Sequence, residues 1–370
     1  MRISDRYIGK QVLLGTLYAV LVLSLVMVLG SLFKEIRPLL GQQATSLTLA
    51  ARLGLVLRFI LSILPFSLMF TIPWAFLTAV LLVFGRLSST NEITSFRVAG
   101  VSLTRLALPV FVVGLLLSGV CLYLNVNVVP LARATAKELI YEQAKKDPRS
   151  MLDPGRGQAQ MKGKQKLFVE GRDGETLLGF HLYQLPENEE SPEKTYVYSR
   201  RSTFIVDEVK KEIRMRLNDA FMERTLPDGS VEPVLAGELE PLLLAIDSKD
   251  RKRTRPAAMT NSEIEDYLRE NPQLDQGKKV EYRVEIIKRF SFSMACLAFA
   301  FVAVPLGLKS QRKDTSMGLV LSLLLGAGYF LFTVLSSEFK TDLGAAVVLW
   351  MPNVLCVLIG LFLFRRARFK

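Results

Sequence analysis

The residues of this chain that could carry out covalent chemistry fall into no recognisable catalytic pattern. There is one histidine, His181. A metal or acid–base centre needs several such groups converging, and with no carboxylate or cysteine close by, His181 reads as a structural or surface residue. No HExxH or GxSxG pattern occurs. The nearest thing to a nucleotide-binding loop is the stretch from Gly157 to Gln165. Its glycines, Gly157 and Gly163, stand one residue too far apart, and Gln165 takes the place of the magnesium-holding hydroxyl. Cys121, Cys296 and Cys356 all fall in apolar runs, so no disulfide framework is expected. These residues imply no catalytic site, no metal and no cofactor. If the chain does energy-driven work, a separate chain must hydrolyse the ATP.

The charged residues that could bind something lie at the ends of apolar runs. In the turn from Gly85 to Ser102, one of Ser89, Thr90 and Asn91 can cap a short helix over Glu92–Ala99, and Gly100 can end it. Ile93, Phe96 and Val98 are its apolar residues, and Glu92 and Arg97 its charges. Such an amphipathic helix suits docking to another protein, or lying on lipid. Glu92 could also be structural, because a helix N-terminus favours a carboxylate. Lys34 and Arg37, flanking Glu35, could pair with lipid phosphates or simply anchor the interface. The basic run Lys249–Arg255 reads as a solvated loop or a head-group contact. No apolar run has an acidic residue at its centre, which disfavours an ion-coupled carrier. Arg58 lies near the end of its run, where it can snorkel.

The elements that position these residues are six apolar runs: Val12–Phe33, Leu53–Phe84, Leu103–Leu124, Ile286–Leu308, Leu319–Ser336 and Ala345–Phe364. At about 1.5 Å per residue each can cross a hydrocarbon core of about 30 Å. Lipid offers backbone groups no partner, so the runs must be helices. No small-x-small cleavage site follows the first run, which should stay as helix 1. Pro65 and Pro73 mark a bend, or a flexible cavity wall, in the second run. Basic residues set the orientation. The N-terminus, the 2–3 turn, the 4–5 turn and the C-terminus together carry thirteen basic and three acidic residues, a balance of +10 within the chain's +12. Both termini are therefore expected in the cytosol. The high charge is a topology signal, and no nucleic acid is expected as partner.

Between the third and fourth runs lies a polar insert. The expected organisation is residues 1–130 with helices 1–3, 131–282 as a periplasmic β domain with flanking helices, and 283–370 with helices 4–6. Leu131–Lys146 continues helix 3 before Pro148 and Pro154. β-rich segments follow at Lys166–Glu170, Thr176–Leu185, Thr195–Val206, Glu212–Leu217 and Ala220–Leu226. Ile213, Met215 and Leu217 should share one face, with Arg214 and Arg216 on the other. Leu235–Ile246, interrupted by Pro241, is a last strand or an extended return. Thr260 and Glu263 form a capping box for a helix ending near Glu270, and a further helix from about Lys279 leads into helix 4. The fold class is membrane α-helical, six transmembrane helices in a 3+3 arrangement, with an inserted all-β jelly-roll-like domain.

Several pieces, in order, carry a family resemblance: Asp5–Lys10 (DRYIGK), Leu64-Pro65, Gly85-Arg86-Leu87, Asn91–Thr94, Ala99-Gly100, Pro305-Leu306-Gly307 and Trp350–Asn353. With them the chain resembles the permease subunits of the lipopolysaccharide-export ABC transporter, the LptF/LptG (YjgP/YjgQ) family. DRYIGK leans to the G-type and the Asn91–Thr94 piece to the F-type. The family often has a proline early in helix 4, where this chain has Ser293.

The resemblance implies a multi-pass protein of the Gram-negative inner membrane that pairs with a second permease subunit of its family. A dimeric cytosolic ABC ATPase drives the pair. Lipopolysaccharide is the substrate, taken from the inner membrane and passed to periplasmic jelly-roll bridge proteins. The 2–3 turn couples to the ATPase, and its glutamate matches Glu92, with Arg97 beside it. Helices 1 and 5 form lateral gates, and Lys34 and Arg37 fall near one of them. Two other classes stand beside this reading. One is a non-transport scaffold or sensor whose β domain binds a partner, which would have no ATPase partner. The other is a lipid-acting membrane enzyme, which needs a catalytic cluster that the sequence does not offer.

Overall fold

A computed structural model of the chain describes residues 3–35, 49–136, 159–160, 165–173, 176–184, 194–207, 212–225, 230–245, 256–309, 315–336, 339 and 341–368. Contacts divide the chain into two compact units. One comprises residues 1–33, 53–136 and 253–370, the other residues 34–52 and 137–252.

The first unit is helical: α1 Ile3–Glu35, α2 Leu49–Ser89, α3 Glu92–Val98, α4 Leu103–Tyr123, α5 Asn261–Glu270, α6 Gln276–Ser293, α7 Ala295–Lys309, α8 Thr315–Leu335 and α9 Asp342–Arg368. Among the described residues six stretches are long and apolar enough to cross a membrane: Ser4–Ser31, Leu57–Ser89, Leu103–Ala136, Gln276–Lys309, Gly318–Leu335 and Asp342–Arg366. α2 runs unbroken through Pro65 and Pro73. Phe76, Phe84, Leu87, Leu106 and Phe299 are fully buried where the helices meet. In lipid this packing rests on close fit more than on water exclusion. Gly307 lets α7 approach α2, since a Cβ there would meet that of Phe84 at 2.8 Å. Gly360 likewise sits against the Phe301 carbonyl, joining α9 to α7. Outward, Leu21, Leu25, Leu323, Leu324 and Leu358 are exposed, as a lipid-facing surface requires.

Two irregularities interrupt this regular winding. After α4 comes a π turn, Leu124–Val128, before the helix continues to Ala136. It carries the buried Asn125, whose amide donates to the Ser293 hydroxyl at 2.8 Å. The fourth span, expected as one run from Ile286 to Leu308, breaks at Met294 between α6 and α7. The Ser291 carbonyl at the break accepts from the Tyr329 hydroxyl at 3.2 Å and the Asn353 amide at 2.9 Å, and the Ser291 hydroxyl donates to the Leu349 carbonyl at 2.6 Å. The Met294 N–H also reaches the Ser291 carbonyl, at 3.2 Å, and side chains of α8 and α9 add donors to it. The capping box forms as expected, with Thr260 N–H donating to Glu263 at 2.8 Å and Glu263 N–H to the Thr260 hydroxyl at 3.3 Å. α6 begins at Gln276, capped by Asp275, slightly ahead of the expected start. Residues 137–146, the basic run 249–255 and residues 310–314 of the 4–5 turn lie outside the described residues.

The second unit is a six-stranded antiparallel sheet in chain order: β1 Ala159–Gln160, β2 Gln165–Asp173, β3 Thr176–Gln184, β4 Lys194–Asp207, β5 Glu212–Thr225 and β6 Val231–Ala245. The inserted all-β domain is therefore present. Its strand order is sequential, which the segment list alone does not specify. Met215 and Leu217 are buried and Arg216 is exposed, as the alternation requires. The apolar stretch near Pro241 is a strand, and the register shift opposite Met215 and Leu217 falls at Glu240-Pro241. A bulge in a strand paired on one side accommodates a residue that cannot donate.

The expected break between Leu217 and Ala220 is not a turn. β5 runs straight through, with Asp219 held at φ 51°. The ladders step over one row of residues, Glu170, Gly179, Arg200, Asp219 and Gly237. At this row the inward side changes. Leu182 and Phe180 give way to Leu177, Val197 and Ser199 to Ser202, and Ala220 to Leu217 and Met215. The row is a crease at which strands present their opposite side to the interior, as strands do when one sheet supplies two packed layers. Gly179 requires it most directly: φ is +60° and the Glu170 side chain occupies the space of a Cβ.

Candidate functional site

α3 occupies the turn between the second and third spans. Asn91 precedes it at φ 59°, a left-handed conformation that asparagine tolerates. No side chain caps the helix, contrary to the expectation for Ser89, Thr90 or Asn91. The Thr90 hydroxyl instead lies 2.9 Å from the Arg86 carbonyl and 3.0 Å from Glu92 Oε1. Gly100 ends the helix as expected, at φ 81°. The N–H groups of Gly100 and Val101 donate to the carbonyls of Arg97 and Phe96, both at 3.0 Å, which closes the last turn.

The seven residues of α3 divide into two faces. Ile93 is buried and Phe96 half-buried, both against the core of the helical unit. Thr94, Ser95 and Arg97 are exposed, and Val98 is 85% exposed. Val98 therefore leaves the apolar set in which the sequence places it. Glu92 and Arg97, about 140° apart around the axis, do not face one another.

Glu92 is half-buried and held at both oxygens: Oε1 by Thr90, and Oε2 by the hydroxyl of Tyr7 at 3.1 Å. One turn further along α1, the Gln11 side-chain carbonyl accepts from Arg86 at 2.7 Å. The start of α1 is thus tied to both flanks of the turn. Ser88 fastens it from another side, donating to the Leu308 carbonyl at 3.0 Å. Sequence reasoning found Glu92, and Thr90 as a candidate cap and not as its partner, but missed the roles of Tyr7 and Gln11. Tyr7 belongs to the DRYIGK piece, which was the available signal.

Lys34 stands in the last turn of α1, while its side chain and all of Arg37 lie outside the described residues. In the sheet, His181 is not alone. Nε2 is 3.0 Å from Glu170 Oε1 and Nδ1 is 2.8 Å from the Tyr196 hydroxyl. The carboxylate that the sequence does not place nearby arrives from the adjacent strand. Burial first, then neighbouring Tyr183, pushes the Tyr196 phenol up to about 12. Among the described residues no group of His, Cys, Asp and Glu side chains could hold a metal ion.

What this arrangement offers is mechanical: a short helix, anchored on one face, presenting polar residues on the other. Comparison with curated proteins gave no match. The family model described as "Lipopolysaccharide export system permease LptF/LptG" matches residues 6–366, nearly the whole length. The chain belongs to the LptF/LptG family of lipopolysaccharide-export permeases, transporter subunits of the inner membrane.

Proposed function

We propose that this chain is one of two paired permease subunits that extract lipopolysaccharide from the inner membrane, driven by a separate dimeric ABC ATPase docked on α3. Both termini and the α3 turn face the cytosol, and residues 131–282 face the periplasm, where they pass the lipid to jelly-roll bridge proteins. Lifting acyl chains out of hydrocarbon costs about 0.8 kcal/mol per CH₂, so extraction needs an external energy source. The observation that carries this reading is α3 itself, fixed to the bundle by Ile93 and Phe96 and leaving Arg97 free to meet a partner. Glu92 takes the coupling role, with Arg97 in support. Lys34 and Arg37 contact the phosphorylated head group at the far end of α1.

Pull-down from mild detergent tests the docking role. Glu92→Ala should insert normally yet lose the ATPase. Normal co-purification and transport in that variant would overturn the role. Reporter fusions near Asn91 and within residues 155–245 test the orientation, and unchanged lipid crosslinking after replacement of both Lys34 and Arg37 would remove the head-group contact.

A further inference from the structure

We propose that Tyr7 is a positioning residue that joins α1 to the ATPase-docking turn, so that α1 is a lever moved from its cytosolic end. This rests on the docking role proposed for Glu92 and extends it to a second helix. Three observations support it.

The Tyr7 hydroxyl donates to Glu92 Oε2, while Arg86, at the opposite flank of the turn, donates to Gln11. Tyr7 and Gln11 lie four residues apart, one turn of the helix. Two bonds one turn apart resist both sliding and swivelling, which a single bond would not.

α1 meets the bundle along a narrow row. Ile8, Val12, Thr16, Ser24 and Val28 are buried, whereas Leu13, Leu14, Leu17, Tyr18, Leu21, Leu25 and Val26 are exposed. The first half of that row makes the more regular contact. Gly9 sits beside Pro109 and Gly15 beside Ala79, where a Cβ would come into van der Waals contact at 3.6 and 3.4 Å. Beyond Thr16 only Ser24 and Val28 of the described α1 side chains are buried.

A continuous helix from Tyr7 to Lys34 transmits displacement over about 40 Å. Its far end is where head-group contact is proposed. The carboxylate also keeps lone pairs beyond those used by Thr90 and Tyr7, so Glu92 can serve a partner while bonded to α1.

The test uses the full chain in complex with its co-purified ATPase, with purified lipopolysaccharide as probe, and reads lipid released per ATP hydrolysed. Tyr7→Phe removes one hydroxyl and keeps the ring. It should retain the ATPase in the complex and lower lipid released per ATP by about tenfold or more, the scale of a hydrogen bond to a charged group. Gln11→Leu should act in the same direction, and Gln11→Glu, which still accepts from Arg86, should restore the yield. Tyr7→Phe combined with Glu92→Gln should be no worse than Glu92→Gln alone. If Glu92→Gln alters neither docking nor transport, the docking role fails. If Glu92→Gln acts while Tyr7→Phe matches the parent, or the two effects add fully, the lever is overturned and the docking role stands.

Discussion

The helical unit and the sheet unit solve opposite problems with the same amino acids. In the helical unit, leucines such as Leu21 and Leu324 face outward, while Ser291, Asn353 and the amide N–H of Asn125 are buried and bonded. In the sheet unit, Leu177, Phe180 and Leu182 face inward, while Arg200, Arg201 and Arg216 are exposed. Surrounding lipid makes an unpaired polar group the expensive item, whereas surrounding water makes an uncovered apolar one expensive. Burial alone therefore does not mark a core residue here. What marks it is whether a side chain fills space or completes a hydrogen bond.

That contrast can be broken at graded strengths. Phe180→Ala in the sheet should have the largest effect, about 3–5 kcal/mol, because it removes water-excluded surface and leaves a cavity. Limited proteolysis of the full chain in detergent should show faster cleavage within residues 159–245. Gly179→Ala should follow at about 1–3 kcal/mol, since a Cβ is disfavoured at φ +60° and Glu170 fills its space. The same proteolysis rate measures it. Asn353→Leu should cost about 1–2 kcal/mol, because interhelical hydrogen bonds in membranes are individually weak. Detergent thermal unfolding should show the loss, and the buried Ser291 carbonyl should lose one donor while Tyr329 remains. Leu324→Ala, on the lipid-facing side, should shift that unfolding by less than about 0.5 kcal/mol. A large loss there would mean that the surface is covered by protein in the sample, and would sharpen the contrast into a map of the subunit interface.

The legible parts of the sequence were those governed by one local rule. Hydropathy located six spans because lipid demands roughly twenty apolar residues in a row. The Thr260–Glu263 box was readable because both partners lie within one turn. Features set by distant partners were not. Asn218 and Asp219 fall between two expected strand segments, and the neighbouring strands keep both within β5. The partners of the Ser291 carbonyl at the Met294 break, Tyr329 and Asn353, come from other helices. Glu92 stands out in the sequence as a charge of the short 2–3 helix and through the family resemblance, but its anchor lies 85 residues away at Tyr7. His181 looked solitary because Glu170 meets it across a hairpin.

The π turn at Leu124–Val128 marks a place where the chain can change length cheaply. A π turn holds one residue more than α-winding would. Deleting a single codon from this five-residue stretch would let the helix close into plain α form, and because five π residues sweep nearly the same angle as four α residues, everything from Val129 onward would keep its facing. Arg133, whose guanidinium stacks 4.4 Å over the Phe66 ring, would stay there. The same deletion inside α4, where each lost residue turns the rest of the helix by about 100°, should disturb this end far more.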